Sequence, residues 1–146
     1  MSVLLVRHGD ALPPRASDDD RVLSLRGREE TRALGRALLD RGLLPDRIVS
    51  SPLVRAVQTA ELLAGVLGYP GVVQCDPALV PDGDVLAADA SLRQAEGLVI
   101  AVTHEPIVRV LAARLLGEAT HPPFRTSGCV LIEGGRAVLR LDPSTF

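Results

Sequence analysis

Short apolar runs alternate along this chain with longer segments in which apolar residues recur every three or four positions. The runs have the length and β-branched content typical of buried strands and lie at 3–6, 47–50, 72–75 and 98–102. The longer segments predict helices at 24–42, 51–68, 85–95 and 106–117. The end of the chain predicts an antiparallel hairpin, 129–133 with 136–140, around two glycines. This order predicts an α/β fold, a three-layer α/β/α sandwich with a mostly parallel sheet.

Capping residues mark the ends of the predicted helices. Ser24 is placed to cap the first helix, and Ser51 is placed to cap the second with Pro52 at its first helical position. Pro106 begins the last helix and Gly117 follows its end. In the second helix, the periodicity predicts a buried stripe formed by Leu53, Val57, Ala60, Ala64 and Leu67.

Length and composition indicate one globular domain over residues 1–146. The chain is 47% hydrophobic and carries a net charge of -2, and its 16 basic residues are all arginines spread among acids. No basic stripe is present, so a nucleic-acid partner is not expected. The N-terminal apolar run is too short for a membrane span, so no membrane partner is expected either. Cys75 and Cys129 show no paired spacing, which favours a reducing, cytoplasmic location.

Two arginines and two histidines lie at or shortly after the ends of the predicted strands. Arg7 and His8 follow the first strand, Arg55 lies one turn into the helix after the second, and His104 follows the strand at 98–102. Ligands of open α/β sheets bind beyond the carboxyl ends of the strands. Guanidiniums bind phosphoryl oxygens, and a neutral imidazole is a nucleophile when its other N–H is held by a carbonyl. These residues therefore predict a phosphoryl-binding site.

Four stretches of the sequence resemble the motifs of one family. The segment "LVRHGDA" is similar to the RHG signature of the histidine phosphatase superfamily, which includes the phosphoglycerate mutases, and "LSLRG", "VSSPLVRAVQTA" and "VTHEP" match further parts of its pattern. The resemblance implies a phosphoglycerate mutase-like fold and a phosphohistidine intermediate. It implies that His8 attacks phosphorus, that Arg7 and Arg55 hold the phosphoryl oxygens, and that His104 stabilises the transferring group. It implies no metal and no cofactor.

Within this superfamily the chain most resembles the SixA phosphohistidine phosphatases. Larger relatives carry a proton-donating glutamate where this chain has Ala78. An alkoxide leaving group needs such a donor more than an imidazole does, because histidine titrates near about 6.5. The resemblance therefore implies a protein substrate phosphorylated on histidine, with inorganic phosphate as the product. Asp82, Asp84 and Asp10 remain candidate proton donors.

Other interpretations of the same residues stay open at this point. A small-molecule phosphomonoesterase would use the same groups, and an inactive module that binds phosphoproteins would keep them without turnover. The segment 10–23 is a loop that is the one candidate roof for the pocket. Arg55 alone could be a surface residue paired with Glu61 or Asp46. His121 is predicted to be a loop residue, and the spacing of the three histidines does not suggest zinc.

Overall fold

Six strands and four helices form the protein, whose computed structural model describes residues 1–146. The strands are β1 (Ser2–Arg7), β2 (Arg47–Ser50), β3 (Gln74–Cys75), β4 (Leu98–Thr103), β5 (Cys129–Glu133) and β6 (Arg136–Leu141). The helices are α1 (Leu25–Asp40), α2 (Val54–Leu67), α3 (Val85–Gln94) and α4 (Ile107–Leu116). Two short 3-10 turns lie in loops, at Asp18–Asp20 and Pro77–Leu79.

All six strands belong to one sheet, in the order β3-β2-β4-β1-β5-β6. The four strands from β3 to β1 pair in parallel, whereas β5 and β6 pair antiparallel. The carboxyl ends of β1, β2 and β4 therefore meet at one edge of the sheet. The predicted α/β class, with a mostly parallel sheet, is confirmed.

Two apolar cores lie on opposite faces of the sheet. Successive side chains of a strand point to opposite faces, and in β1 this places Val3 and Leu5 in the core under α3 and α4, and Leu4 and Val6 in the core under α1 and α2. All four side chains are fully buried. The result is the predicted three-layer arrangement, with a pair of helices covering each face.

The start and the buried face of α2 differ from the prediction. Pro52 lies in a bend, and Leu53, in extended conformation, is the residue that precedes the helix. Ser51 does not cap the helix, although its Oγ accepts a hydrogen bond from the Leu53 N–H at 3.2 Å. The buried apolar residues are Ala56, Ala60, Leu63 and Leu67. Ala60 and Leu67 were predicted, but Leu53, Val57 and Ala64 are only partly buried. The prediction was wrong at these three positions because it followed only apolar residues, whereas the buried face also carries polar side chains.

The other elements lie close to their predicted positions. Ser24 caps α1 by accepting a hydrogen bond from the Gly27 N–H at 3.0 Å, and Gly117 ends α4 in the left-handed conformation. The third strand, β3, is shorter than predicted and exposed, as is common at a sheet edge. No helix has both the length and the apolar character that crossing a bilayer requires.

Candidate active site

Arg7, His8, Arg55 and His104 line one cavity at the carboxyl edge of the parallel strands. Arg7 ends β1 and His8 follows it, His104 follows β4, and Arg55 lies in the first turn of α2. The cavity has a volume of about 340 Å³. The structure thus brings together the four side chains that the sequence placed at this edge.

His8 is held in the tautomer that a nucleophile needs. Its Nδ1 lies 2.7 Å from the Gly9 carbonyl oxygen. Because a carbonyl oxygen can only accept a hydrogen bond, Nδ1 must carry the proton and donate it, which leaves the lone pair of Nε2 free. The side chain is 7% exposed. Burial, assisted by the charges of Arg55 and Arg7, lowers the pKa of His8 to about 4 despite the opposing hydrogen bond to Gly9. The imidazole is therefore neutral near pH 7.

His104 lies beside His8, with 5.0 Å between the ring centroids and 56° between the ring planes. Its Nε2 is 2.8 Å from Ser51 Oγ, and its buried Nδ1 has no hydrogen-bond partner in the protein. Burial, followed by the influence of His8 and Arg55, lowers the pKa of His104 to about 3. A Ser51 hydroxyl that donates to Nε2 leaves the proton on Nδ1, which is then a donor without a partner.

Arg7 is fixed by the loop that precedes β5. Its Nη1 donates to the Phe124 carbonyl oxygen at 2.7 Å, which is a short, charge-assisted hydrogen bond. Burial lowers the pKa of Arg7, and the negative charge of Glu105 opposes that effect. A guanidinium remains protonated at any working pH, so Arg7 is a permanent cation in the lining of the cavity.

Arg55 is almost fully buried, at 3% exposure, and makes two contacts with Asp18. Its Nη1 donates to the Asp18 backbone oxygen at 2.8 Å, and its Nη2 contacts Asp18 Oδ2 at 3.1 Å. The alternative that Arg55 pairs with Glu61 or Asp46 is therefore wrong, because the helix turns Arg55 inward. The Asp46 carboxylate instead accepts from the Leu98 N–H.

Thr59 connects Arg55 to the segment that follows β1. Its hydroxyl donates to the Arg55 carbonyl oxygen at 2.8 Å and accepts from the Gly9 N–H at 3.0 Å. Thr59 is fully buried, so these bonds lie away from solvent. The hydroxyl couples the helix that carries Arg55 to the residue that orients His8.

Three buried nitrogens of this site have no hydrogen-bond partner in the protein, namely Arg7 Nε, Arg55 Nε and His104 Nδ1. Buried polar groups are nearly always hydrogen-bonded, so a cluster of three unpartnered nitrogens needs an explanation. The two guanidinium nitrogens are N–H donors with a positive charge. Together the three nitrogens form a set suited to the oxygens of a tetrahedral anion.

Only one of the three candidate proton donors lines the cavity. Asp10 does so, with Oδ2 accepting from Ser24 Oγ at 2.7 Å. Asp82 and Asp84 are exposed and do not line it, and Asp84 is engaged in capping α3 through the Ala87 N–H at 3.0 Å. Ala78 packs against the core under α3 and α4. Of these three candidates, only Asp10 lies where a bound substrate could be reached.

Several residues of the site were missed by the sequence prediction. Asp18 and Arg21 reach the cavity from the 10–23 loop, and Glu105 reaches it from the position after His104. No periodic signal marks a loop residue as part of a site. Thr59 could have been found, because it lies four residues after Arg55 and shares its helical face.

His121 lies outside this site, as predicted. Its Nδ1–H donates to the Pro122 carbonyl oxygen, and its Nε2 accepts from Arg140 at 2.7 Å. No group of three or more histidine, cysteine, aspartate or glutamate side chains is arranged to hold a metal ion.

Comparison with known proteins places the chain in one family. The model of the histidine phosphatase superfamily (branch 1) matches residues 3–80. The chain belongs to the histidine phosphatase superfamily. It is 37% identical over 131 residues to phosphohistidine phosphatase SixA of Escherichia coli strain K12, and the match covers 87% of this chain and 81% of that protein.

Solved structures agree with this assignment. The protein histidine phosphatase SixA complexed with tungstate superposes with a TM-score of 0.93 at 31% identity, covering 99% of this chain and 98% of the other. A protein from Agrobacterium tumefaciens that is also assigned as SixA gives a TM-score of 0.83 at 24% identity, over 97% and 98% of the two chains. The family resemblance and the phosphoglycerate mutase-like fold expected from the four motifs are therefore confirmed.

Proposed function

We propose that this protein is a metal-independent phosphatase that works through a phosphohistidine intermediate on His8. The observation that carries the proposal is the free Nε2 of a neutral His8, fixed by the Gly9 carbonyl, beside a cluster of buried donors. A nucleophile and an anion-binding set in one cavity are what phosphoryl transfer needs. Family membership and the similarity to SixA support the same conclusion.

The reaction takes two displacements at phosphorus. In the first, His8 Nε2 forms a bond to phosphorus while the bond from phosphorus to the substrate's leaving atom breaks, and the leaving group takes up a proton from water or from Asp10. In the second, water attacks phosphorus, the bond to His8 Nε2 breaks, and inorganic phosphate is released. Arg7 and Arg55 hold the phosphoryl oxygens, and His104 donates from Nδ1 to the transferring group. Arginines and imidazole thereby provide the charge stabilisation that a metal gives in other phosphoryl-transfer enzymes.

The substrate that fits best is phosphohistidine displayed on a signalling protein. SixA of Escherichia coli, to which the chain is similar, is named a phosphohistidine phosphatase. The leaving group favours the same substrate, because imidazole departs more readily than an alkoxide and depends less on a proton donor. Asp10 is the one candidate donor on the cavity, and its carboxylate already accepts a hydrogen bond from Ser24. The site is therefore better suited to an N–P bond than to a phosphate ester.

A paired substrate assay tests this proposal. The protein is incubated with a histidine-phosphorylated phosphotransfer protein and, separately, with p-nitrophenyl phosphate, with the His8→Ala variant as the control. We expect faster release of phosphate from the phosphoprotein, and no release by the variant. Turnover of the ester alone would indicate a small-molecule phosphomonoesterase. Binding of the phosphoprotein without release would indicate an inactive binding module.

The location of the protein stays a prediction. Neither Cys75 nor Cys129 forms a disulfide, and Cys129 is buried in the core under α1 and α2. This pattern supports a reducing, cytoplasmic compartment, where histidine-phosphorylated signalling proteins would be available as partners.

A further inference from the structure

Glu105 lies between the candidate active site and the loop that precedes β5. It directly follows His104, lines the cavity and is only partly exposed. Its Oε2 accepts a hydrogen bond from the Phe124 N–H at 3.0 Å, and its Oε1 lies 3.3 Å from Arg109 Nε. Oε2 is thus held by a backbone donor, whereas the buried Oε1 faces Arg109 only as an ion pair and has no hydrogen-bond partner.

The residue that Glu105 holds is also the residue that holds Arg7. The Phe124 N–H donates to Glu105, and the Phe124 carbonyl oxygen accepts from Arg7 Nη1 at 2.7 Å. Phe124 lies in a segment without helix or strand, so no regular ladder fixes its backbone. The Phe124 side chain is buried in the core under α3 and α4, and the hydrogen bonds to Glu105 and from Arg7 fix the two sides of its backbone.

We propose that Glu105 is a positioning residue that orients the Arg7 guanidinium through the backbone of Phe124. This inference rests on the proposed function, in which Arg7 binds the phosphoryl group. Arg7 has several rotatable bonds, and ordering such a side chain during binding is unfavourable. An acceptor fixed by Glu105 orders it beforehand, with its buried Nε left free for the anion.

Charge and position have opposite effects at Glu105, which makes the inference testable. A carboxylate on the cavity wall repels a bound anion, so removing its charge alone should tighten phosphate binding. Removing the acceptor of the Phe124 N–H should instead weaken binding, because Arg7 then loses its fixed partner. Glu105→Gln removes the charge and keeps an acceptor oxygen, whereas Glu105→Ala removes both.

The experiment is a double-mutant cycle on the full-length protein with inorganic phosphate as the probe, read by titration calorimetry. We expect Glu105→Ala to raise the Kd of phosphate about tenfold, as for the loss of one well-placed hydrogen bond to a charged group. Glu105→Gln should lower the Kd of phosphate by up to about twofold, because the repelling charge is removed and the acceptor is kept. In an Arg7→Gln background, Glu105→Ala should change the Kd no further, because its effect passes through Arg7.

Three results would overturn the inference. Tighter binding in both Glu105 variants would mean that only charge matters. An equal tenfold loss in the presence and absence of Arg7 would mean that Glu105 supports the fold in general. Unchanged phosphate binding in Arg7→Gln would show that Arg7 does not bind the phosphoryl group. That result would contradict the proposed function, whereas the first two would contradict only the role of Glu105. Should Glu105→Ala not fold, the cycle is run with Glu105→Ser, whose side chain is too short to reach Phe124.

Discussion

Acidification from pH 7 to pH 5 is expected to destabilise the folded protein, because His8 and His104 are buried and neutral. The two side chains are 7% and 1% exposed, and their pKa values are lowered to about 4 and about 3. In the unfolded chain both return to about 6.5. Between the folded and the unfolded pKa, the unfolded chain binds more protons than the folded one. The contribution of the two histidines to the free energy of unfolding is therefore fully present above the unfolded pKa and is lost as the pH falls toward the folded pKa values.

The magnitude follows from the distance between the pH and the unfolded pKa. At pH 5 an unfolded histidine is about 1.5 pH units below its pKa, and each unit corresponds to about 1.4 kcal/mol. Each histidine therefore removes about 2 kcal/mol, and the two together remove about 4 kcal/mol of the free energy of unfolding. The range from pH 7 to pH 5 excludes most carboxylate titration, because unfolded aspartates titrate near about 3.9.

Urea unfolding at several pH values measures this loss. The chain has no tryptophan, so the transition is followed by far-ultraviolet circular dichroism. The matched control is a variant with both His8→Asn and His104→Asn, which has no imidazole at the site and should lose little stability between pH 7 and pH 5. Equal losses in the parent protein and in this variant would refute the argument that the two histidines are buried as neutral groups.

Two further predictions concern contacts that support the site. Thr59→Val should lower the free energy of unfolding by about 1 to 3 kcal/mol, because the buried Gly9 N–H loses its acceptor. The control is Thr59→Ser, which keeps the hydroxyl. An equal loss of stability in both variants, measured by urea unfolding, would contradict this role of Thr59. Gly27→Ala should destabilise by about 1 to 3 kcal/mol and displace the 10–23 loop, since a Cβ would lie 2.1 Å from the Asp10 backbone oxygen. Its control is Gly65→Ala, where a Cβ meets nothing within 4 Å and thermal stability should not fall.

The sequence predicted the layers of the fold because the strands and helices have strong local signals. Leu98 to Val102 is a continuous apolar run, and parallel strands covered on both faces need such runs. Once the strands are parallel, Arg7, His8 and His104 must emerge at one edge. Their convergence was therefore a consequence of topology, and the structure places them around one cavity.

The parts that could not be predicted depend on tertiary contacts rather than on periodicity. The buried face of α2 includes Arg55 and Thr59, which an apolar stripe cannot reveal. Asp18 pairs with Arg55 across 37 positions of sequence, from within an acidic run that looks like a solvated loop. Glu105 reaches Phe124 across 19 positions, and nothing in either segment marks the partner.

The most direct test of the account is to trap the phosphorylated enzyme. The protein is mixed with a substrate that carries a radiolabelled phosphoryl group and is quenched in denaturant, and the label is then tested for stability in acid and in base. We expect an acid-labile, base-stable label on His8 that is absent from His8→Ala. Turnover without such a label, or a label that persists in the His8→Ala variant, would contradict the assignment of His8 as the nucleophile.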